Sequence, residues 1–209
     1  MSGRLGKWIV VEGIDGSGKT TQAKMLATKI DAFYTYEPGD SLVGEDVRNV
    51  LLKSEKTLHP LTEVFLLQAD RVEHLQKIII PKLEEGKNVV CDRYVGSTFA
   101  YQGYGRGVEF DKLESIVNIA ISKVMPDLTI LYDLPSEEVE SRLAGRSTDR
   151  IENEGKEFRK RVEQGYKALS KRFGWKVIDA SGSIDEVANR TLGEIKSAFG
   201  EAWIGNIDG

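Results

Sequence analysis

Residues 10–22 read Val-Val-Glu-Gly-Ile-Asp-Gly-Ser-Gly-Lys-Thr-Thr-Gln: an apolar run, a loop crowded with glycines, then a lysine and two threonines opening a helical pattern. From Gly13 to Thr20 the spacing is G-x-x-x-x-G-K-[ST], set after a strand-length run and before a helix, the context that gives this motif its meaning. Glycines let successive backbone N–H groups turn toward one oxyanion, and the following helix adds the positive end of its dipole. Gly13, Ile14, Asp15, Gly16, Ser17, Gly18, Lys19, Thr20 and Thr21 are therefore the candidate phosphate cradle of a nucleotide. Lys19 is placed to reach the β and γ phosphates, and Thr20 to offer its hydroxyl to Mg²⁺.

Around this loop, apolar runs alternate with longer helical patterns. The runs at 8–12, 33–36, 88–92, 128–133 and 175–179 read as strands, several apolar nearly throughout, as a parallel strand covered on both faces must be. Helical spacing occupies 19–30, 43–52, 60–85, 110–124, 136–143, 154–173 and 184–198. In the long segment 60–85, Leu61, Val64, Phe65, Gln68, Val72, Leu75, Ile79 and Leu83 trace one face. The fold class that follows is α/β, a five-stranded parallel sheet flanked by helices in three layers. Such sheets bind ligands beyond the carboxyl ends of their strands, which here carry Glu12, Glu37, Asp92, Asp133 and Asp179. No repeat or linker divides the chain, so residues 1–209 read as a single domain.

Bulk properties narrow the partners. With a net charge of −4 over 209 residues, no global basic field recruits nucleic acid. No apolar stretch is long enough for a membrane span. The lone cysteine, Cys91, has no intrachain partner and suits a reducing cytoplasm.

Two acids compete for the metal position near the loop, Asp92 and Asp133. Asp92 is the stronger, because Arg93 follows at once and would put a phosphate-binding guanidinium beside a metal-binding carboxylate. The fate of the terminal phosphate is constrained by absences. There is no N-K-x-D segment of a guanine switch and no H-R-D or D-F-G segment of a protein kinase. A small-molecule kinase remains, and such an enzyme must shield the γ-phosphate from water with a lid. The segment of about 141–154, with Arg142, Arg146 and Arg150, few apolar residues and one glycine, suits that role.

These residues carry a resemblance. Glu12-Gly-Ile-Asp-Gly-Ser-Gly-Lys-Thr-Thr-Gln22, Glu37-Pro-Gly39, Gly44-Glu-Asp-Val-Arg48, Ala69-Asp-Arg71, Asp92-Arg-Tyr94 with Ala100-Tyr-Gln-Gly103, Asp149-Arg-Ile-Glu152 and Ile178-Asp-Ala-Ser181 occur in the order seen in thymidylate kinases. The chain resembles that family from Trp8 to Val187. The resemblance implies a P-loop kinase-type fold with a small mobile lid, Mg²⁺ as cofactor with ATP, dTMP as acceptor, a homodimer, and no nucleic-acid or membrane partner. It implies that Asp15 contacts the acceptor's sugar and helps hold its phosphate group, that Glu12 lies near metal and acceptor, and that Arg93 clamps the acceptor and transferred phosphates. Arg71 corresponds to the arginine on the thymine edge. Ser97, Thr98 and Gln102 fall near the base, Tyr101 near the deoxyribose, and Arg48 beside base or phosphate. With Gly16 in the loop, the catalytic arginine is expected in the lid, at Arg146 first and Arg150 next, while Arg142 and the turn 180–183 approach adenine. Leu67 stands where the family has an aromatic residue, and Phe65 turns away from the site toward the core. Tyr36-Glu-Pro-Gly-Asp40 replaces the family's R-E-P-G-G. His74 reads as a surface or packing residue, and Trp203 has no legible role. A kinase of another nucleoside or its monophosphate, or a P-loop regulator without transfer, remains open on the sequence alone.

Overall fold

The computed structural model describes residues 5–54, 57–143, 145, 149–201 and 203, with the backbone alone at 136, 137 and 152. Its frame is one five-stranded sheet built from β1 (Trp8–Glu12), β2 (Phe33–Tyr36), β3 (Val89–Asp92), β4 (Leu128–Asp133) and β5 (Lys176–Asp179), in the order β2-β3-β1-β4-β5. Every pairing is parallel. β1 is the middle strand and is buried along its whole length, which is why Trp8-Ile-Val-Val carries no polar alternation.

The connections are helical. α1 (Lys19–Lys29) joins β1 to β2; α2 (Gly44–Lys53), α3 (Pro60–His74) and α4 (Ile80–Glu84) lead to β3. α5 (Val95–Thr98) and α6 (Phe110–Ile121) lead to β4, α7 (Ser136–Leu143) and α8 (Lys156–Phe173) to β5, and α9 (Ile184–Phe199) follows. Only the β1-to-β2 step runs toward the β2 edge, so right-handed crossovers set α1 on one face and the later crossover helices, α2 to α8, on the other, while α9 follows the last strand outside any crossover. The packing agrees: α1 lies against α9, and α3 against α6.

The ladder aligns the strand ends. Val11 pairs with Asp92, Glu12 with Leu131, Tyr36 with Asp92 and Asp133 with Asp179. The carboxylates expected at the strand ends thus lie along one edge of the sheet, with Glu37 immediately beyond β2.

The long helix expected over 60–85 is interrupted. A π-helical turn, Leu75–Ile79, separates α3 from α4. Pro81 stands at the start of α4; lacking an N–H and crowding the carbonyl four residues back, it is accommodated by the wider turn before it. A second π-helical stretch, Phe99–Gly105, continues α5 in a region without a recognisable helical pattern. The apolar face expected over 60–85 also divides. Val64, Leu75, Ile79 and Leu83 are buried, but Phe65 is 59% and Val72 39% exposed, so Phe65 faces solvent rather than the core. The inward face of α3 is instead polar, with Glu63, Gln68, Asp70, Arg71 and His74 buried. Near the C-terminus, Trp203 packs its ring on Phe199, centroids 4.8 Å apart.

Candidate active site

The glycine loop begins where β1 ends. A Cβ on Gly13 would meet the Tyr132 carbonyl oxygen and Ser17 Oγ at 2.8 Å each, so the close approach of loop to β4 excludes a side chain there. Gly18 has φ 85 and hands the chain directly to Lys19, the first residue of α1, a left-handed turn that glycine adopts without penalty. The cleft above the loop measures about 1020 Å³ and is lined by Asp15 through Gln22, Asp92, Arg93, Arg142, Ala180 and Gly182–Ser183. That is the upper end of cofactor-sized cavities, about 300–1,000 Å³. Gly13 and Ile14, the first residues of the loop, are buried and do not line the cleft.

At the floor, Thr20 Oγ1 donates to Asp92 Oδ2 at 2.5 Å. The other carboxylate oxygen, Asp92 Oδ1, is buried with no hydrogen-bond partner. An unsatisfied carboxylate oxygen beside a hydroxyl is a hard oxygen donor pair that fits Mg²⁺, an ion that takes most of its shell from phosphates and water. Asp133, the competing acid, is instead engaged with Lys167 at 3.6 Å. Among the described residues no cluster of three or more His, Cys, Asp or Glu could hold a metal unaided.

Arg93 follows Asp92 with φ 76, a conformation that a non-glycine residue keeps only when its surroundings over-determine it. The surroundings do so. Arg93 Nη1 donates to the Gly13 carbonyl at 3.1 Å, to Ser97 Oγ at 2.9 Å and to Tyr166 Oη at 3.0 Å; Nη2 donates to Asp15 and, at 3.3 Å, to Tyr101 Oη. Asp15 also accepts from Lys19 Nζ at 3.2 Å and from Tyr101 Oη at 2.6 Å. Burial pushes the Asp15 carboxyl up, but Arg93 and Lys19 overcome it and hold the group well below the ordinary carboxylate range.

A second, narrower slot of about 110 Å³ opens on the other side of these two residues. Asp15, Arg48, Leu67, Arg71, Arg93, Ser97, Thr98, Tyr101 and Gln102 all line it. Of the residues expected around the acceptor, only Glu12 is absent from its wall. Arg71 is 1% exposed. Its Nε and Nη2 each lie 2.8 Å from Glu37 Oε2, and Nη1 donates to Gln68 Oε1 at 2.8 Å and Thr98 Oγ1 at 3.1 Å. Burial opposes the charge on Glu37, yet Arg71 and His74 keep its carboxyl below the usual range. His74 is 0% exposed with Nδ1 3.0 Å from Glu37 Oε1. It is a buried member of this polar network, so of the two expected roles, surface or packing, the surface one is excluded. Arg48 is turned to the Pro38 carbonyl at 2.7 Å.

Glu12 sits one layer deeper. It accepts from the backbone N–H of Tyr94 at 3.0 Å and of Ser97 at 3.1 Å, from Ser97 Oγ at 2.6 Å and from Tyr166 Oη at 3.2 Å. Burial raises its carboxyl above the ordinary value despite these donors and Arg93. Gly96 closes over it, since a Cβ there would stand 2.7 Å from Glu12 Oε1.

The candidate lid arginines separate. Arg146 lies outside the described residues. Arg142 Nη2 donates to the Ala180 carbonyl at 3.1 Å, beside the cleft and the turn expected to meet adenine. Arg150 lines neither space: its Nε donates to the Leu51 carbonyl at 2.8 Å and its Nη2 to Glu63 Oε1 at 2.6 Å. Glu63 also takes a paired contact from Arg106, which bridges on to Glu154. Sequence reasoning misses Glu63, Arg106 and Tyr166. A signal for the first exists, because Glu63, Asp70, Arg71 and His74 recur at helical spacing as a stripe that is polar where a core-facing helix is apolar.

A family model described as thymidylate kinase matches residues 11–191. A thymidylate kinase of Pelotomaculum thermopropionicum is 47% identical over 186 residues, 84% of this chain and 86% of that protein. One of Prochlorococcus marinus is 41% identical over 203 residues, 91% of this chain and 96% of its own length. A crystal structure of thymidylate kinase from Ehrlichia chaffeensis superposes with a TM-score of 0.76 at 32% identity, covering 91% of this chain and 98% of that one.

Proposed function

The chain belongs to the thymidylate kinase family and transfers the γ-phosphate of ATP to dTMP, giving dTDP and ADP, and we propose that the two spaces on either side of Asp15 and Arg93 are its donor and acceptor sites. The observation that carries this reading is that both residues line the large cleft and the narrow slot alike. A clamp shared by both spaces is what in-line transfer between two phosphates requires, since such chemistry asks the protein for positioning and charge stabilisation. A nucleotide-binding regulator needs no second anion pocket.

In this reading the ATP phosphates lie over Gly16–Thr21 with Lys19 beside them. Arg142 and the turn 180–183 flank the adenine. The dTMP base enters the slot against Leu67, Arg71, Thr98 and Gln102, with Tyr101 by the sugar and Arg48 at the mouth. Its phosphate meets Arg93 and Asp15. Ser97 and Glu12 act from beneath, Ser97 on Arg93 and Glu12 through Ser97 and Tyr166. Thr20 and Asp92 are the residues that fit Mg²⁺, which when bound neutralises charge on the β and γ phosphates. Residues 1–209 work as one domain, and about 141–154 serves as the lid; Arg146 is the arginine assigned to the transferring phosphoryl group. Arg150, tied to Glu63 and Leu51, is assigned to anchoring the base of the lid.

A second copy of the chain packs against the exposed apolar side chains of α3 and α6, among them Phe65, Val72 and Ile119, in a homodimer. A cytoplasmic setting is assigned from the single buried thiol of Cys91. Among the described residues no helix is long and apolar enough to cross a membrane.

An adenosine and a thymidine joined through an oligophosphate test the shared clamp. Such a ligand competes with both ATP and dTMP and binds more tightly than either. Competition with only one of them would show that the two spaces are not donor and acceptor sites of one transfer.

A further inference from the structure

The Gln102 side chain, 2% exposed, has one amide end engaged and one open. Nε2 donates to Glu63 Oε2 at 3.0 Å, while Oε1 is buried with no hydrogen-bond partner. Chemistry dictates that orientation. A carboxylate offers only acceptors, so turning the amide over would set its oxygen against another oxygen. Glu63 is 0% exposed and is itself immobilised by rigid donors. Arg106 Nε reaches Oε2 at 3.2 Å and its Nη2 reaches Oε1 at 3.1 Å, with Arg150 Nη2 on Oε1 at 2.6 Å. Planar guanidinium groups hold a carboxylate in place and in plane. Buried acceptors without a donor are rare in folded proteins, and this one belongs to a residue that lines the slot with Leu67 and Arg71.

We propose that Glu63 is a positioning residue for base selection. It fixes the Gln102 amide so that the carbonyl oxygen faces the slot, where it accepts from a ring N–H and rejects a ring nitrogen that carries only a lone pair. Thymine presents N–H at ring position 3, and cytosine presents the lone pair. Glu63 touches no substrate; it acts through Gln102. The inference rests on the reading of the slot as the base pocket for dTMP.

The test compares dTMP with 5-methyl-dCMP, which differ only at ring positions 3 and 4, as the ratio of their kcat/KM values in the native chain, E63Q, Q102L and the double variant. Titration calorimetry supplies the same ratio as Kd where the cytosine nucleotide turns over too slowly. General damage to the site lowers both nucleotides together and leaves the ratio alone. Freeing the Gln102 amide to flip lowers the ratio in E63Q about tenfold, the scale on which one mispaired polar contact discriminates. In the Q102L background, E63Q shifts it no further. An unchanged ratio in E63Q, with Q102L collapsing it, overturns the role of Glu63 alone, as does an equal shift with and without Gln102. A ratio unmoved by Q102L overturns the base-pocket reading on which the inference stands. Should E63Q fail to fold, E63Q/R106Q removes one buried charge of each sign and carries the same expectations.

Discussion

Arg93→Lys separates charge from geometry at the junction of the two spaces. The guanidinium reaches Gly13, Ser97 and Tyr166 with Nη1 and Asp15 and Tyr101 with Nη2, so one planar fork spans both sides of the clamp. A lysine keeps the positive charge beside Asp15 but has a single ammonium head on a flexible stem, which cannot serve both sides at once. Losing one pre-organised charged donor at a site of developing charge costs about 2.7–4 kcal/mol of transition-state stabilisation, or about 10²–10³ in kcat. The KM for dTMP rises less, by about tenfold, because the retained charge still attracts the acceptor phosphate. Stability changes modestly, since Asp15 keeps Lys19 and Tyr101, and Glu12 keeps its backbone donors; a loss of about 1 kcal/mol lowers Tm by about 2–4 °C in a chain of this size. Coupled release of ADP at saturating Mg·ATP, with a thermal melt as control, reads all three. A kcat within about threefold of the native value, with Tm unchanged, would refute the shared clamp, because the fork would then be dispensable.

Other outcomes follow from the same geometry. Burial raises the Glu12 carboxyl above its ordinary 4.5 despite Ser97, Arg93 and Tyr94, so the folded protein disfavours the ionised form and its charge costs stability at neutral pH. Glu12→Gln therefore raises Tm by a few degrees near pH 7 while lowering turnover, and the gain shrinks as pH falls through the raised value and vanishes below about 4.5, where both states of the native carboxyl are protonated. Asp15 has the opposite sign. Its carboxyl is held below 3.8, chiefly by Arg93 and Lys19 against burial, so it contributes stability above that pH that is lost on further acidification. Asp15→Asn accordingly melts lower than the native chain at pH 7, with the difference closing below about pH 4. Phe65→Glu, on the exposed side of α3, converts a sedimenting dimer to monomer with little change in fold; an unaltered sedimentation coefficient would place the dimer contact elsewhere.

How much of the fold and site is legible in the sequence varies with the kind of physics involved. β1 and the loop after it can be read residue by residue, because a buried parallel strand needs an unbroken apolar run and a phosphate cradle needs glycine and lysine at set intervals. The acids at the strand ends follow from the same register. The residues lining the slot can be named through the family resemblance, whereas periodicity alone does not reach them, since Arg48, Arg71 and Gln102 meet only after α2, α3 and the π-helical stretch pack together. What escapes is set by tertiary partners. Arg150 reads as a mobile lid arginine because composition cannot show that a buried Glu63 is waiting for it. His74 lies on a helix whose apolar periodicity misstates the inward face, and that face is polar because it borders the site rather than the core. The same periodicity assigns Phe65 to the core, and the side chain stands in solvent. Neither π-helical segment has a local signature; Pro81 marks the first only once the packing around it is known.

Catalysis here turns on the destination of the phosphate. Its most direct measurement is coupled ADP release with Mg·ATP and a panel of acceptors comprising dTMP, dUMP, dCMP, CMP, GMP and AMP. A kcat/KM for dTMP above that of every other monophosphate is the predicted result, and turnover of dTMP no faster than that of CMP or GMP would contradict it.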